Sequence, residues 1–276
     1  MAHDPGPAFR ALHRPGTPFI LANAWDAGSA RVMAGLGAEA IGTTSAGHAF
    51  TLGRADGQVS RDEALAHAAD LVAATPLPVS GDLESGYGPS PEDVALTVRG
   101  AAEAGLAGCS IEDTDPDAGG SYSREAAIER VRAGIAAARD LPRDFVFVAR
   151  ADGVLAGSYD LDEALTRIRA FAEAGADCVY VPLPGDQAAL SRVIEAAGSV
   201  PVNALAVGPL AALSRAELGA LGVARISLGS AIARMTHRTL HDAVSAMLGE
   251  GRFDSHPAIG RKIDGLLEKG ARPVED

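Results

Sequence analysis

The chain predicts a single (β/α)8 barrel, and three observations carry that expectation: a repeated αβ junction, eight strand-like segments, and no dinucleotide fingerprint after the first of them. The segments GLGAEAIGTTS (35 to 45), EAGLAGCSIED (103 to 113), EAGADCVYVPL (173 to 183) and ALGVARISLGS (220 to 230) share one shape. In each, a helix ends at a glycine that can take the left-handed cap conformation, and a short apolar strand follows. Between them, FILANAWD (19 to 26), PVSGDLES (78 to 85), FVFVARAD (145 to 152) and PVNALAV (201 to 207) read as further strands, completing eight.

Helical patterns separate the strands, each opened by a capping residue or an acidic first turn. They are SRDEALAHAADLVAA, SPEDVALTVRGAAEAG, SREAAIERVRAGIAAARD, YDLDEALTRIRAFAEAG, DQAALSRVIEAAG and SRAELGALG. Alternation of strand and helix requires a parallel sheet, because each crossover returns the chain to the same end. Closing eight strands removes the sheet edges, whereas an open doubly wound sheet would want a glycine-rich turn that Asn23-Ala24-Trp25-Asp26-Ala27-Gly28 lacks. The whole chain, 1 to 276, is therefore expected to form one domain, with the barrel over about 17 to 250. A helical extension, 251 to 276, follows the long segment AIARMTHRTLHDAVSAMLGEG and suggests packing against a neighbouring subunit.

Composition narrows the function. The 276 residues carry 36 acidic and 24 basic side chains, a net charge of −12 that opposes nucleic-acid phosphates and anionic lipid surfaces. No apolar run is long enough to span a bilayer and the first residues resemble no targeting signal, so neither nucleic acid nor membrane is expected as a partner and a cytoplasmic location is. An anionic substrate would need a local cation or a well-placed arginine to enter such a field. The only lysines, Lys262 and Lys269, lie beyond the last strand, which argues against Schiff-base chemistry. Cys109 and Cys178 sit inside apolar strands and read as buried, inert thiols.

In parallel barrels the strand C-termini carry the chemistry, and here they are acidic. The third strand ends in Gly81-Asp82-Leu83-Glu84-Ser85-Gly86-Tyr87-Gly88, the fourth in Ser110-Ile111-Glu112-Asp113-Thr114 and the fifth in Ala149-Arg150-Ala151-Asp152. Side chains alternate along a strand, so Asp82 and Glu84 point one way and Glu112 on the next strand can face them. Carboxylates so grouped repel unless protonated or bridged, and oxygen ligands alone select a hard ion, Mg2+ or else Mn2+. The plainer alternative makes Glu84 and Asp113 caps of following helices. Arg150 can grip a substrate carboxylate in two-point fashion or pair within the acidic cluster. The stretch TDPDAGGSYS (114 to 123) reads either as a mobile lid or as a passive loop. His237 and His241, four apart, read as a helix surface rather than a zinc pair, because no third ligand is near.

The elements GDLESGYG, SIEDT and VARADGVLAG, in that order, resemble the isocitrate lyase/phosphoenolpyruvate mutase superfamily over nearly the whole chain. The resemblance implies a Mg2+-dependent (β/α)8 enzyme acting on a 2-oxo acid or 2-hydroxy dicarboxylate, assembled as a dimer or tetramer in which the last barrel helix exchanges between subunits. It implies Asp82 as the direct metal ligand, with Glu84, Glu112 and Asp56 holding metal-bound water. It places Thr44, Ser45 and Ala46 at the substrate's oxo-carboxylate, Arg150 at the forming enolate, Asn203 in the lyase-like branch, and Trp25 and Asp26 at the end of the first strand.

Departures from the family pattern are equally specific. Lyases carry K-[KR]-C-G-H after strand four, where this chain reads TDPDAGGSYS, and the Lys and Asn of phosphonate enzymes are missing from the same loop. Strand six ends in Val181-Pro182-Leu183-Pro184 without the Glu or His of either branch, and Gly229 is followed by Ser230 rather than the His of decarboxylating relatives. The sequence thus predicts a carbon–carbon lyase or decarboxylase for a small, oxaloacetate-like acid, acting through a metal-stabilised enolate that solvent protonates. The alternatives are phosphonate carbon–phosphorus chemistry and a Mg2+-dependent 2-oxo acid binder without turnover.

Overall fold

The computed structural model describes residues 4–253 and 260–271. Among the described residues ten strands form, in chain order β1 (Phe19–Asn23), β2 (Ala40–Gly42), β3 (Val79–Asp82), β4 (Gly108–Glu112), β5 (Thr114–Asp115), β6 (Gly120–Ser121), β7 (Val146–Arg150), β8 (Cys178–Tyr180), β9 (Val202–Leu205) and β10 (Arg225–Ser227). Eight of them close, all parallel, into a barrel in the order β1-β10-β9-β8-β7-β4-β3-β2, and β5 pairs with β6 as a separate antiparallel hairpin. Each of the eight strands read from the sequence is one stave. The (β/α)8 expectation is met.

Period-two alternation builds two apolar layers. On β7, Val146 and Val148 turn into the barrel with Phe19, Leu21, Cys178 and Leu205, while Phe147 and Ala149 turn outward onto the helices. The outer layer is the larger: Leu71, Val94, Val98, Ile168, Phe171, Leu190 and Val193 from the helices cover Ile41, Ile111, Val179 and Ala204. The helices start where the capping residues predicted. Ser60, Ser90 and Ser214 each close a capping box, and Ser123, Asp160 and Asp186 each accept a backbone N–H at their helix.

The N-terminal end of the barrel is plugged by a helix the sequence reading did not anticipate, Gly6–Leu12. Its Phe9 is fully buried and packs edge-on against Phe19 and His13. Arg10 ties it down through Asp144 at 2.7 Å and Asp177 at 2.5 Å. The plug requires Gly108, where a side chain would meet the Val146 carbonyl and the Phe9 ring.

The long last barrel helix, Ala231–Glu250, departs from a closed helical ring. Ala233 is its one buried residue, while Met235, Leu240 and Leu248 are 67%, 59% and 84% exposed. Helix Arg261–Lys269 packs instead beside helix Ala27–Gly35. Of the helical extension expected over 251 to 276, residues 251–253 and 260–271 are described, and 254–259 and 272–276 lie outside the described residues. Among the described residues, no helix is long and apolar enough to cross a membrane.

Candidate active site

A cavity of about 510 Å3 opens at the C-terminal ends of the strands, and β1, β3, β4, β7, β8, β9 and β10 all contribute to its wall, with Thr43 joining them directly after β2. Its centre is the pair Asp82 and Arg150. Asp82 ends β3, where its backbone N–H donates to Thr43 Oγ1 at 2.7 Å. One carboxylate oxygen accepts from the backbone and hydroxyl of Ser45, both at 3.1 Å, and the other accepts from Arg150 Nη1 at 2.7 Å. Asn23 fixes the neighbouring wall, donating to the Thr43 carbonyl and accepting from the N–H groups of Leu228 and Gly229.

Arg150 serves three carboxylates at once: Asp82, Asp152 through two bonds of 3.0 and 2.7 Å, and Glu112 at 3.1 Å. Burial disfavours its charge, but Asp152, Glu112 and Asp82 more than offset this and hold the guanidinium well above its ordinary value. Both functions the sequence left open for Arg150 therefore begin from an ion-paired ground state, with the Tyr180 ring 5.2 Å from its centre.

The acidic side chains behind this pair are short of positive charge. Glu84 is pushed up to about 7 by burial and then by Asp82 and Asp56. Burial also raises Glu112 and Asp152 against the pull of Arg150, and desolvation followed by Asp82 raises Asp56. Glu84 Oε1 is buried with no hydrogen-bond partner. Its backbone sits in the left-handed region, φ 47°, as does that of Tyr87, φ 57°, and the Glu84 carbonyl is held by the Glu112 N–H at 2.9 Å. Strain of this kind at a strand end persists only where the surroundings enforce it.

Of the residues expected at the site, Asp56, Asp82, Arg150, Thr44, Ser45 and Ala46 line the cavity. Thr44 caps helix Ser45–Thr51. Glu84 faces a small void beside Asp82, bounded also by Tyr87 and His67, and Glu112 stands behind Arg150 with Thr114 donating to it at 2.7 Å. Among the described residues, no three carboxylate, histidine or cysteine side chains converge on one point that could hold an ion directly. Arg150 stands between Asp82 and Glu112, bonded to both. Glu84 and Asp113 cap no helix, since Ser90 and Ser123 take those positions. Asp113 is buried and binds the Asp152 N–H, Tyr159 and Arg167.

Three further expected residues stand off the cavity. Trp25 lines a second cavity of about 390 Å3 with His48 and His67, whose rings stack at 3.8 Å, and Asp26 caps helix Ala27–Gly35. Asn203 is buried in the barrel wall, where it donates to Ser227 Oγ at 2.9 Å. The stretch 114 to 123 is the β5–β6 hairpin, tied to Ser158 by Ser121 at 2.7 Å and to Arg130 by Tyr122, with none of its residues in the cavity lining. Cys109 and Cys178 are buried and pushed up by burial, Cys178 to about 12, as inert thiols should be. His237 bonds the Ala233 carbonyl and His241 pairs with Asp242, so both lie on the helix surface.

Sequence reasoning passed over Ser80, Ser110, Tyr180, Arg225 and Ser227, which also line the cavity. The signal was present for one of them: Arg225 is a charge inside the apolar run VARISL.

A closed parallel barrel with its acids at the strand C-termini defines an enzyme-like α/β barrel, and similarity makes the class specific. The phosphoenolpyruvate phosphomutase family model matches residues 9–248, and the chain belongs to that family, within the isocitrate lyase/phosphoenolpyruvate mutase superfamily. It is similar to 2,3-dimethylmalate lyase of Eubacterium barkeri, with 33% identity over 211 residues, 74% of this chain and 72% of that one. Similarity to 2-methylisocitrate lyase of Escherichia coli (strain K12) is 32% over 212 residues, 73% and 70% of the two chains. A crystal structure of a Burkholderia cenocepacia J2315 protein described as a lyase/mutase superposes with a TM-score of 0.88 and 46% identity, covering 94% of each chain.

Proposed function

We propose that the protein is a Mg2+-dependent carbon–carbon lyase or decarboxylase acting on a small 2-oxo or 2-hydroxy (di)carboxylic acid. The observation that carries this reading is the Asp82–Arg150 pair at the centre of the cavity, with the carboxyls of Asp56, Glu84 and Glu112 in and around it all pushed upward. A divalent cation fits the donor set. The ligands are hard oxygens, Glu84 Oε1 has no partner, and Mg2+ is commonly held by one or two carboxylates with waters and substrate making up the rest. Asp82 would hold it directly, with Glu84, Glu112 and Asp56 binding its waters; Mn2+ suits the same donors. Bound there, the ion would polarise the oxo-carboxylate of the substrate.

The chain's own groups then divide the remaining work. The hydroxyl and N–H of Ser45, the N–H of Ala46 and Thr44 orient the carboxylate end of the substrate. Arg150, already charged and desolvated, neutralises the negative oxygen that develops when the bond breaks. No acid side chain from the hairpin reaches the cavity, so solvent supplies the proton. Asn203 acts through Ser227, and Trp25 supports the turn of chain behind Thr44 and Gly47.

The exposed apolar face of helix Ala231–Glu250 supports a homo-oligomer, a dimer or tetramer, in which this helix packs on a second copy. One domain spans the chain, and the location is cytoplasmic, with no nucleic-acid or membrane partner. Purified protein incubated with Mg2+ and a panel of 2-oxo and 2-hydroxy acids tests the activity: product from at least one member is expected, and none from any would sink it. The matching family model favours a second reading, carbon–phosphorus chemistry, which phosphate release from phosphonopyruvate would reveal. Tight Mg2+-dependent binding with no product would make the protein a binder.

A further inference from the structure

We propose that Arg225 forms an anion-binding floor to the cavity and takes the second acidic group of a dicarboxylate substrate. Arg225 opens β10 and lines the cavity from inside the barrel, yet it is only 4% exposed. Its Nε and Nη1 are buried with no acceptor, and among the described residues no carboxylate pairs with it. The other buried arginines are served: Arg167 by Asp113 and Glu163, Arg130 by the carbonyls of Ser85 and Ser90, Arg150 by three carboxylates.

A desolvated guanidinium without a counter-charge is costly, and this one sits in a protein whose net charge is −12 and whose cavity mouth is acidic. Acidic partners were therefore abundant elsewhere, and none is placed at Arg225. What faces it is neutral: Cys178 and Tyr180 on β8, and Asn203, directly across on β9, whose Oδ1 also lacks a donor. Arg150 repels it and Asp82 attracts it only from a distance. An anion arriving through the cavity would meet a planar, two-point donor in a low-dielectric wall, the setting in which such a bond is strongest.

The inference rests on the reading of the mouth as a 2-oxo acid site and adds its substrate class. An acid held by its oxo-carboxylate near Asp82 and Arg150 would present its far carboxylate to Arg225, so two acidic groups are matched by two arginines. A substrate with one acidic group would leave Arg225 unserved.

Calorimetry on the full chain with Mg2+ tests this with pyruvate, which has one acidic group, against oxaloacetate and 2-oxoglutarate, which have two. The wild type should prefer the latter by about 10- to 100-fold. Arg225→Met should lose that preference and keep pyruvate affinity, while Arg225→Lys recovers part of it. In parallel, formate should raise the melting temperature of the metal-free wild type and leave Arg225→Met unmoved. Arg225→Met removes an unpaired buried charge, so without anion it should melt no lower than wild type; if it fails to fold, Arg225→Lys carries the comparison. An unchanged dicarboxylate preference, or equal formate shifts in wild type and variant, overturns the inference even if pyruvate binds. Should no 2-oxo acid bind while the formate shift still depends on Arg225, the anion floor stands and the 2-oxo acid reading falls.

Discussion

Arg150 Nη1 lies 2.7 Å from Asp82 Oδ1, while its Nη2 reaches both Asp152 and Glu112. One guanidinium thus fixes the ends of three adjacent staves, β3, β4 and β7, and holds the carboxylates apart.

That shared bridge predicts a steep loss on removing either partner. Asp82→Asn and Arg150→Lys should each lower kcat/KM for the acid turned over by about 10²- to 10³-fold, the scale of losing one preorganised electrostatic group. Lysine keeps the charge but cannot serve three carboxylates in a fork. Steady-state kinetics on folded variants decides it, and activity within a few fold of wild type would remove the pair from the chemistry.

Mg2+ binding should strengthen with pH. Glu84 has its carboxyl raised to about 7, so below that pH it carries a proton that the cation's water shell must displace. Calorimetric affinity for Mg2+ should therefore rise between pH 6 and 8, with proton release, and Glu84→Gln should flatten the dependence.

Metal-free stability should peak near pH 6.5. A carboxyl raised in the native state binds protons that the unfolded chain has already lost, so stability falls as pH rises through about 7. On the acid side, burial lowers His13 to about 3 and His67 to about 4, so the unfolded chain takes up protons first and stability falls as pH drops below about 6.5. Chemical denaturation across pH 4 to 8 reads both limbs, and saturating Mg2+ should abolish the alkaline one alone.

Asp113→Ala should destabilise the fold by about 2–4 kcal/mol, because the almost fully buried Arg167 keeps only Glu163 as a carboxylate partner and the Tyr159 hydroxyl loses its acceptor. It also frees the Asp152 N–H, so activity should drop with stability. Urea unfolding checks the first effect, and a loss under 1 kcal/mol would show the pair to be replaceable.

Leu240→Glu combined with Leu248→Glu should lower the oligomeric state seen by analytical ultracentrifugation, since both side chains are exposed on a helix that buries only Ala233. An unchanged sedimentation coefficient would assign the apolar face to something other than self-association.

The staves, their parallel sense, the helix caps and the gathering of Asp82, Glu112 and Arg150 at the strand ends were legible along the chain, because two-residue alternation, cap chemistry and strand-end position are local properties of sequence. Closure of the sheet decided the rest. The register Glu112↔Arg150 brings those side chains together, and the path of the chain after β3 turns Glu84 off the cavity. Closure likewise set Trp25 against His48 and His67, made Asp113 a buried anchor, and put Arg225 into the cavity wall without a carboxylate. Which charges meet depends on distances between segments far apart in the chain, and those distances exist only once β10 has paired with β1.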